Sequence, residues 1–90
     1  MYPDDETANL NAANSAMQRK DLESAKRYLS KTGDSPQAVY ARGAYAFLVE
    51  DYDSARRLLN DAKAMGVEQA EIILIEIDKI EKAKNNLLIN

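Results

Sequence analysis

The sequence predicts an all-α protein, an array of antiparallel helical hairpins closed by one further helix. Three observations carry that prediction. Helix breakers are scarce, with three glycines and two prolines in 90 residues, in a chain rich in the strong helix formers Ala, Leu, Lys and Glu. The chain is 46% hydrophobic and 30% charged, which supplies both a core and a solvated surface and excludes disorder as the main state. Most informative, the segment Asp21-Leu22-Glu23-Ser24-Ala25-Lys26-Arg27-Tyr28-Leu29 recurs 30 residues later as Asp51-Tyr52-Asp53-Ser54-Ala55-Arg56-Arg57-Leu58-Leu59. The two copies share Asp, Ser, Ala, Arg and Leu at matching places and differ conservatively at most others. A fixed period between about 20 and 50 residues means stacked supersecondary units, and 90 residues suffice for one domain of them.

The first helix is expected from about Glu6 to Gln18, opened by Asp4 and Asp5 as caps, because a carboxylate there can accept the free N–H groups of the first turn. Its inward side is small: Ala8, Ala12, Ala13 and Ala16, with Leu10 and Met17. The second runs from about Leu22 to Ser30 behind the N-cap Asp21, with Ala25, Tyr28 and Leu29 inward and Gly33 as its C′ residue,. Ser35-Pro36 reads as N-cap plus proline at the first helical position, where the missing N–H is harmless. The third helix then runs to about Val49, the fourth begins after Asp51 and stops at Met65-Gly66, and the fifth runs from about Glu68 to Asn85, followed by a frayed tail. Single-domain boundaries follow: residues 6–33 and 34–67 as hairpin units, 68–85 as the cap and 86–90 as tail within residues 1–90. Val39, Gly43 and Ala46 form one stripe and Ala55, Leu58, Leu59 and Ala62 the facing one. Gly43 and Ala55 lack bulk, so the two helix axes can approach closely there.

Composition narrows the chemistry. Cysteine, histidine and tryptophan are absent, which removes the disulfide, the thiolate nucleophile, the imidazole base and the usual zinc site. The carboxylate groups Asp4/Asp5, Glu50-Asp51-Asp53 and Glu76/Asp78 read as caps and surface charge, since negative charge is favoured at helix starts. Gly33, Gly43 and Gly66 are isolated, so no phosphate loop is present, and no calcium loop has the required Asp spacing. Twelve basic against fifteen acidic residues give a formal charge of −3, and the basic residues are scattered among acids. No nucleic-acid partner is expected from that balance, and no run approaches the ~18 apolar residues of a membrane span. Met1 to Asp5 lacks the apolar segment of a signal peptide, which argues for the cytoplasm if Met1 is the native start. No cofactor is expected.

Gly43, Tyr52, Ala55 and Leu59, with Ala13, Leu22, Ala25 and Leu29 in the first unit, resemble the tetratricopeptide repeat pattern. That pattern has a small residue in the first helix, an aromatic before the second, an alanine within it and a large apolar residue one turn on. The resemblance covers about Glu6 to Val67 and implies a right-handed array of hairpins that binds other proteins. It departs from the family in its period, 30 residues against ~34, and in the place of the early tryptophan, taken by Asn9 and Val39. A narrower likeness rests on Tyr2-Pro3-Asp4-Asp5, Ala8-Asn9-Leu10-Asn11-Ala12-Ala13-Asn14, Gly33-Asp34-Ser35-Pro36 and Ala38-Val39-Tyr40-Ala41-Arg42-Gly43. These runs look like the C-terminal segment of Bacteroidales cell-envelope proteins of unknown function, which implies the tail of a larger protein of the periplasm or cell surface.

In tetratricopeptide-like arrays the first helix of each pair lines a concave groove. The resemblance therefore implies a protein- or peptide-binding groove carried by Leu10, Asn14 and Met17 on the first helix and Tyr40, Ala44, Phe47 and Leu48 on the third. The same residues at helical spacing equally fit packing between hairpins. A clamp for a C-terminal carboxylate is poorly supplied, with Leu10 one turn before Asn14 and only Arg42 on the third helix. On the fifth helix, Ala70, Ile73, Ile77, Ile80 and Lys84 share the side expected to pack on the second hairpin, the lysine stem lying along it. Ile72 and Ile75 point away. Either the tail residues Leu87, Leu88 and Ile89 fold back over them, or a partner covers them, including a second copy in a homodimer. A strand at Glu71 to Ile77 is a third option, because four isoleucines favour strands. The functional expectation is a non-enzymatic protein–protein interaction module; the alternative is a structural or self-associating domain without a groove.

Overall fold

The computed structural model describes the backbone of residues 5–89 and the side chains of residues 5–86. Five helices follow one another among the described residues: α1 (Glu6–Gln18), α2 (Leu22–Leu29), α3 (Pro36–Leu48), α4 (Tyr52–Ala64) and α5 (Ala70–Ile89). Each of the first four starts on a side-chain cap. The oxygens of Asp5, Asp21, Ser35 and Asp51 accept the N–H groups of Thr7, Ser24, Ala38 and Ser54. Pro36 occupies the first turn of α3, where its lack of an N–H is harmless.

The repeat is written into the backbone. Lys20 and Glu50, 30 residues apart, both take a left-handed conformation, with φ of 62° and 64°. Behind them the Asp21 and Asp51 N–H groups reach back to the Ala16 and Ala46 carbonyls, at 2.8 and 2.9 Å. The Lys20 and Glu50 N–H groups donate to Met17 and Phe47. This is the six-to-one and five-to-two bonding of a Schellman helix end. Asp21 and Asp51 thus close one helix and cap the next, which makes both hairpin turns tight. Gly66, with φ of 100°, ends α4 the same way through the Val67-to-Ala62 bond.

Gly33 does not end α2 as the sequence suggests. Its φ is not positive, and α2 closes through Lys31 and Thr32 N–H bonds to the Tyr28 and Leu29 carbonyls. The Thr32 hydroxyl also donates to Leu29. Gly33 instead offers its N–H to the Glu6 carboxylate at 2.8 Å, and a Cβ there would stand 3.2 Å from the same oxygen.

Packing follows the stripes. α1 lies on α2, α3 on α4, and α3 also meets α1 and α2; α5 lies on α4 and touches α3. Val39, Ala46, Ala55, Leu59, Ala62, Ala70 and Ile77 form the larger buried cluster, with Leu58 and Ile73 partly buried against it. A Cβ on Gly43 would stand 2.8 Å from Leu59, so the glycine is the condition for that close approach. Ala13, Leu29 and Ala41 form a smaller cluster between the hairpins. Arg56 of α4 bonds Asp78 and Glu81 of α5, and Lys63 bonds Glu71. The Lys84 amine lies 5.1 Å from the Tyr52 ring centre.

Two expectations for the C-terminal part are corrected. The strand reading of Glu71 to Ile77 fails, since α5 is helical throughout this segment. The frayed tail is also replaced: α5 continues to Ile89, because no Gly or Pro follows Asn85 and leucines sustain a helix. At about 1.5 Å per residue, the helix carries its last turn roughly 20 Å beyond Ile72 and Ile75, so the fold-back over them does not occur. Leu87 and Leu88 lie outside the residues whose side chains are described.

Candidate functional site

Helices α1 and α3 leave a trough between them. It is lined by Glu6, Thr7, Leu10, Asn11 and Asn14 of α1 and by Gln37, Tyr40 and Ala41 of α3, with a volume near 340 Å³. A second depression of about 240 Å³ shares Gln37 and Tyr40 and adds Gly66, Val67 and Gln69. Gln37 and Tyr40 of α3 thus stand in the walls of both depressions.

The loop between the hairpins fixes the spacing of the trough walls. Arg42 of α3 donates to the Thr32 hydroxyl at 3.1 Å, the Gly33 carbonyl at 2.8 Å and the Asp34 carboxylate at 3.1 Å. Glu6 of α1 accepts the Gly33 N–H from the other side. One loop is thereby tied to both helices. The Ser35 hydroxyl beside Glu6, then the Gly33 N–H and the charge of Arg42, hold the Glu6 carboxyl below its ordinary value of 4.5. Among the described residues, Glu6 is the only charged one lining either depression.

Of the residues expected in the groove, the structure brings Leu10, Asn14 and Tyr40 together in the trough lining, where Leu10 and Tyr40 are half-buried and also pack against the smaller and larger core clusters. It places the others elsewhere. Met17 packs against the Ala13–Leu29–Ala41 cluster. Phe47 packs on the larger core, its ring 6.0 Å from that of Tyr52. Ala44 is half-buried outside the trough lining, and Leu48 is 43% exposed at the end of α3. The residues missed are mostly polar, Glu6, Thr7, Asn11, Gln37 and Gln69, with Ala41, Gly66 and Val67 beside them. A signal for them exists in the sequence, since Thr7, Asn11 and Asn14 recur at helical spacing on one side of α1,.

A separate cleft of about 330 Å³ opens between α2 and α4 over α3, with Leu29, Tyr45, Ala46, Val49 and Leu58 in its wall and Lys26 at its edge. No group of three or more His, Cys, Asp or Glu side chains able to hold a metal ion is present among the described residues. Among the same residues no helix is long and apolar enough to cross a membrane. Compared with models of protein families, with curated proteins and with solved structures, the chain matches none.

Proposed function

We propose that the chain is a non-enzymatic interaction module of tetratricopeptide-like design, which takes an extended peptide into the trough between α1 and α3. The observation that carries this reading is the chemistry of the lining. Asn11, Asn14, Gln37 and Gln69 can both donate and accept, as a peptide backbone does, and Tyr40 and Leu10 offer apolar contact among them. An extended strand needs its backbone groups paired when it leaves water, and side-chain amides on a helix pair can do that. No lysine or arginine lines the trough, so a C-terminal carboxylate is not the expected anchor. In this reading the hairpins stack in a right-handed array, and the module serves as the tail of a larger envelope protein.

Selection from a random peptide display library on the immobilised protein tests it. Selected peptides should lose most of their affinity for Tyr40→Ala and for Asn14→Ala while the helical circular-dichroism signal stays unchanged. Peptides indifferent to both substitutions would remove the groove from consideration. A second reading, a self-associating domain, is favoured by one observation: Ile72 is 66% and Ile75 is 45% exposed on α5.

A further inference from the structure

The outer side of α5 has an order that exposure alone does not explain. Glu68, Ile72, Ile75, Lys79, Lys82 and Asn86 are all exposed, and they are spaced four, three, four, three and four residues apart. That is the 3.5-residue period of a coiled-coil seam. It lies opposite the side that buries Ala70 and Ile77. Bonds from the Ala70, Glu71 and Ile72 N–H groups to the Val67, Glu68 and Gln69 carbonyls make the Glu68 turn continuous with α5. Along the seam the chemistry is graded, from acid through two isoleucines to two bases.

We propose that a second copy of this chain covers this seam, with the two α5 helices antiparallel about a two-fold axis between Ile72 and Ile75. In that register Ile72 faces Ile75 of the other copy, and Glu68 faces Lys79 of the other copy. Both contacts then occur twice, as a two-fold interface requires. A parallel pairing would set acid against acid and base against base. Lys79 is free to take this role: its contact with Glu76, at 3.9 Å, joins two exposed side chains and is worth little. Lys82 has no ion-pair partner among the described residues. The seam is short, so the dimer belongs to the weak class of interfaces below the standard size. The inference is independent of the peptide trough, which lies on α1 and α3.

Sedimentation equilibrium of the full chain over a concentration series tests it. A monomer–dimer equilibrium is expected. Ile75→Glu should reduce it to monomer with unchanged helicity, since Ile75 is outside the core. Lys79→Glu should weaken association by about tenfold, because both symmetry-related contacts become repulsive. Adding Glu68→Lys to Lys79→Glu should restore it. The chain has no cysteine, so register can be read directly. Under oxidation, a mixture of Ile72→Cys and Ile75→Cys chains should give the mixed disulfide in preference to either homodimer. A monomer at every concentration up to about 1 mM, a Lys79→Glu variant that associates like the parent, or mixed disulfides no more abundant than chance would each overturn the proposal.

Discussion

Asn9 occupies a position where the repeat itself supplies the control. It is 6% exposed in α1, and its side-chain Nδ2 has no hydrogen-bond partner among the described residues. Thirty residues on, the matching place holds Val39, 5% exposed within the larger core cluster. Substituting Asn9→Val should therefore stabilise the protein. A buried donor left unpaired costs about 1–3 kcal/mol, and Asn and Val have nearly equal helix propensity, so most of that cost should be recovered. For a domain of this size, each kcal/mol raises the melting temperature by roughly 4–8 °C. The reciprocal change Val39→Asn should do the opposite and more, because it loses apolar burial worth about 1.5–3 kcal/mol and buries an amide among alanines and leucines. Thermal melts followed by far-ultraviolet circular dichroism measure both. A lower melting temperature for Asn9→Val would refute the reasoning, since it would mean that the amide has a partner in solution or that the two hairpins are not equivalent there.

The remaining predictions concern caps, charge and core. Lys20→Gly and Glu50→Gly should each stabilise by roughly 0.5–1 kcal/mol, because both sites have positive φ, which glycine adopts without the penalty of a side chain; urea titration reads this, and two losses would sink the argument. Glu6 and Asp21 both have carboxyls lowered in the fold, the latter from 3.8 by the Ser24 hydroxyl and N–H. A lowered folded value means stability that is present above the ordinary carboxylate range and is lost as pH falls through the folded value. The melting temperature should therefore fall on acidification, and Glu6→Gln should flatten part of that fall; an identical pH profile would contradict it. Phe47→Ala should cost about 2 kcal/mol, less than a fully buried Phe, with little effect on captured peptides, since Phe47 packs on Tyr52. Amide hydrogen exchange should be faster in α1 and α2 than in α4, because the cluster under the first hairpin is the smaller one,.

How much of this was legible in the sequence depends on what encodes it. The hairpin turns were, because the Asp–x–x–Ser caps and the 30-residue period are local signals. Gly43 was legible as a close-approach residue because nothing else explains a glycine inside that helix. The stripe Ala70, Ile73, Ile77 on α5 followed from helical periodicity. Gly33 was misread because its job is set by Glu6, 27 residues away, and no local pattern records that contact. The end of α5 was misread because paired asparagines are weak stops when leucines follow. In the trough, the apolar candidates divided between surface and core for the same reason. Tyr40 and Phe47 sit on one helix seven residues apart and both pack against the larger cluster, but only Tyr40 also reaches the trough, a division that helical spacing does not record.

The unequal cores connect the fold to both proposed surfaces. The second hairpin and α5 share the larger cluster, in which Leu59 and Ile77 are buried among alanines; this burial holds α5 as a firm outer layer, with the ion pairs Arg56–Asp78, Arg56–Glu81 and Lys63–Glu71 at its edge. A seam for a second copy needs such a rigid helix, because ordering a mobile one would consume a weak interface's gain. The first hairpin has only a small cluster, an eight-residue α2 and a buried unpaired amide. Its α1 wall packs on α2 and α3 and is tied to the loop after α2 by the Glu6–Gly33–Arg42 contacts. A wall tied at one loop can adjust to a peptide without unfolding the rest, and a ligand bound to it would in turn stabilise the weaker half by mass action. The departure from even packing thus falls on the side of the molecule where the amide-lined trough lies.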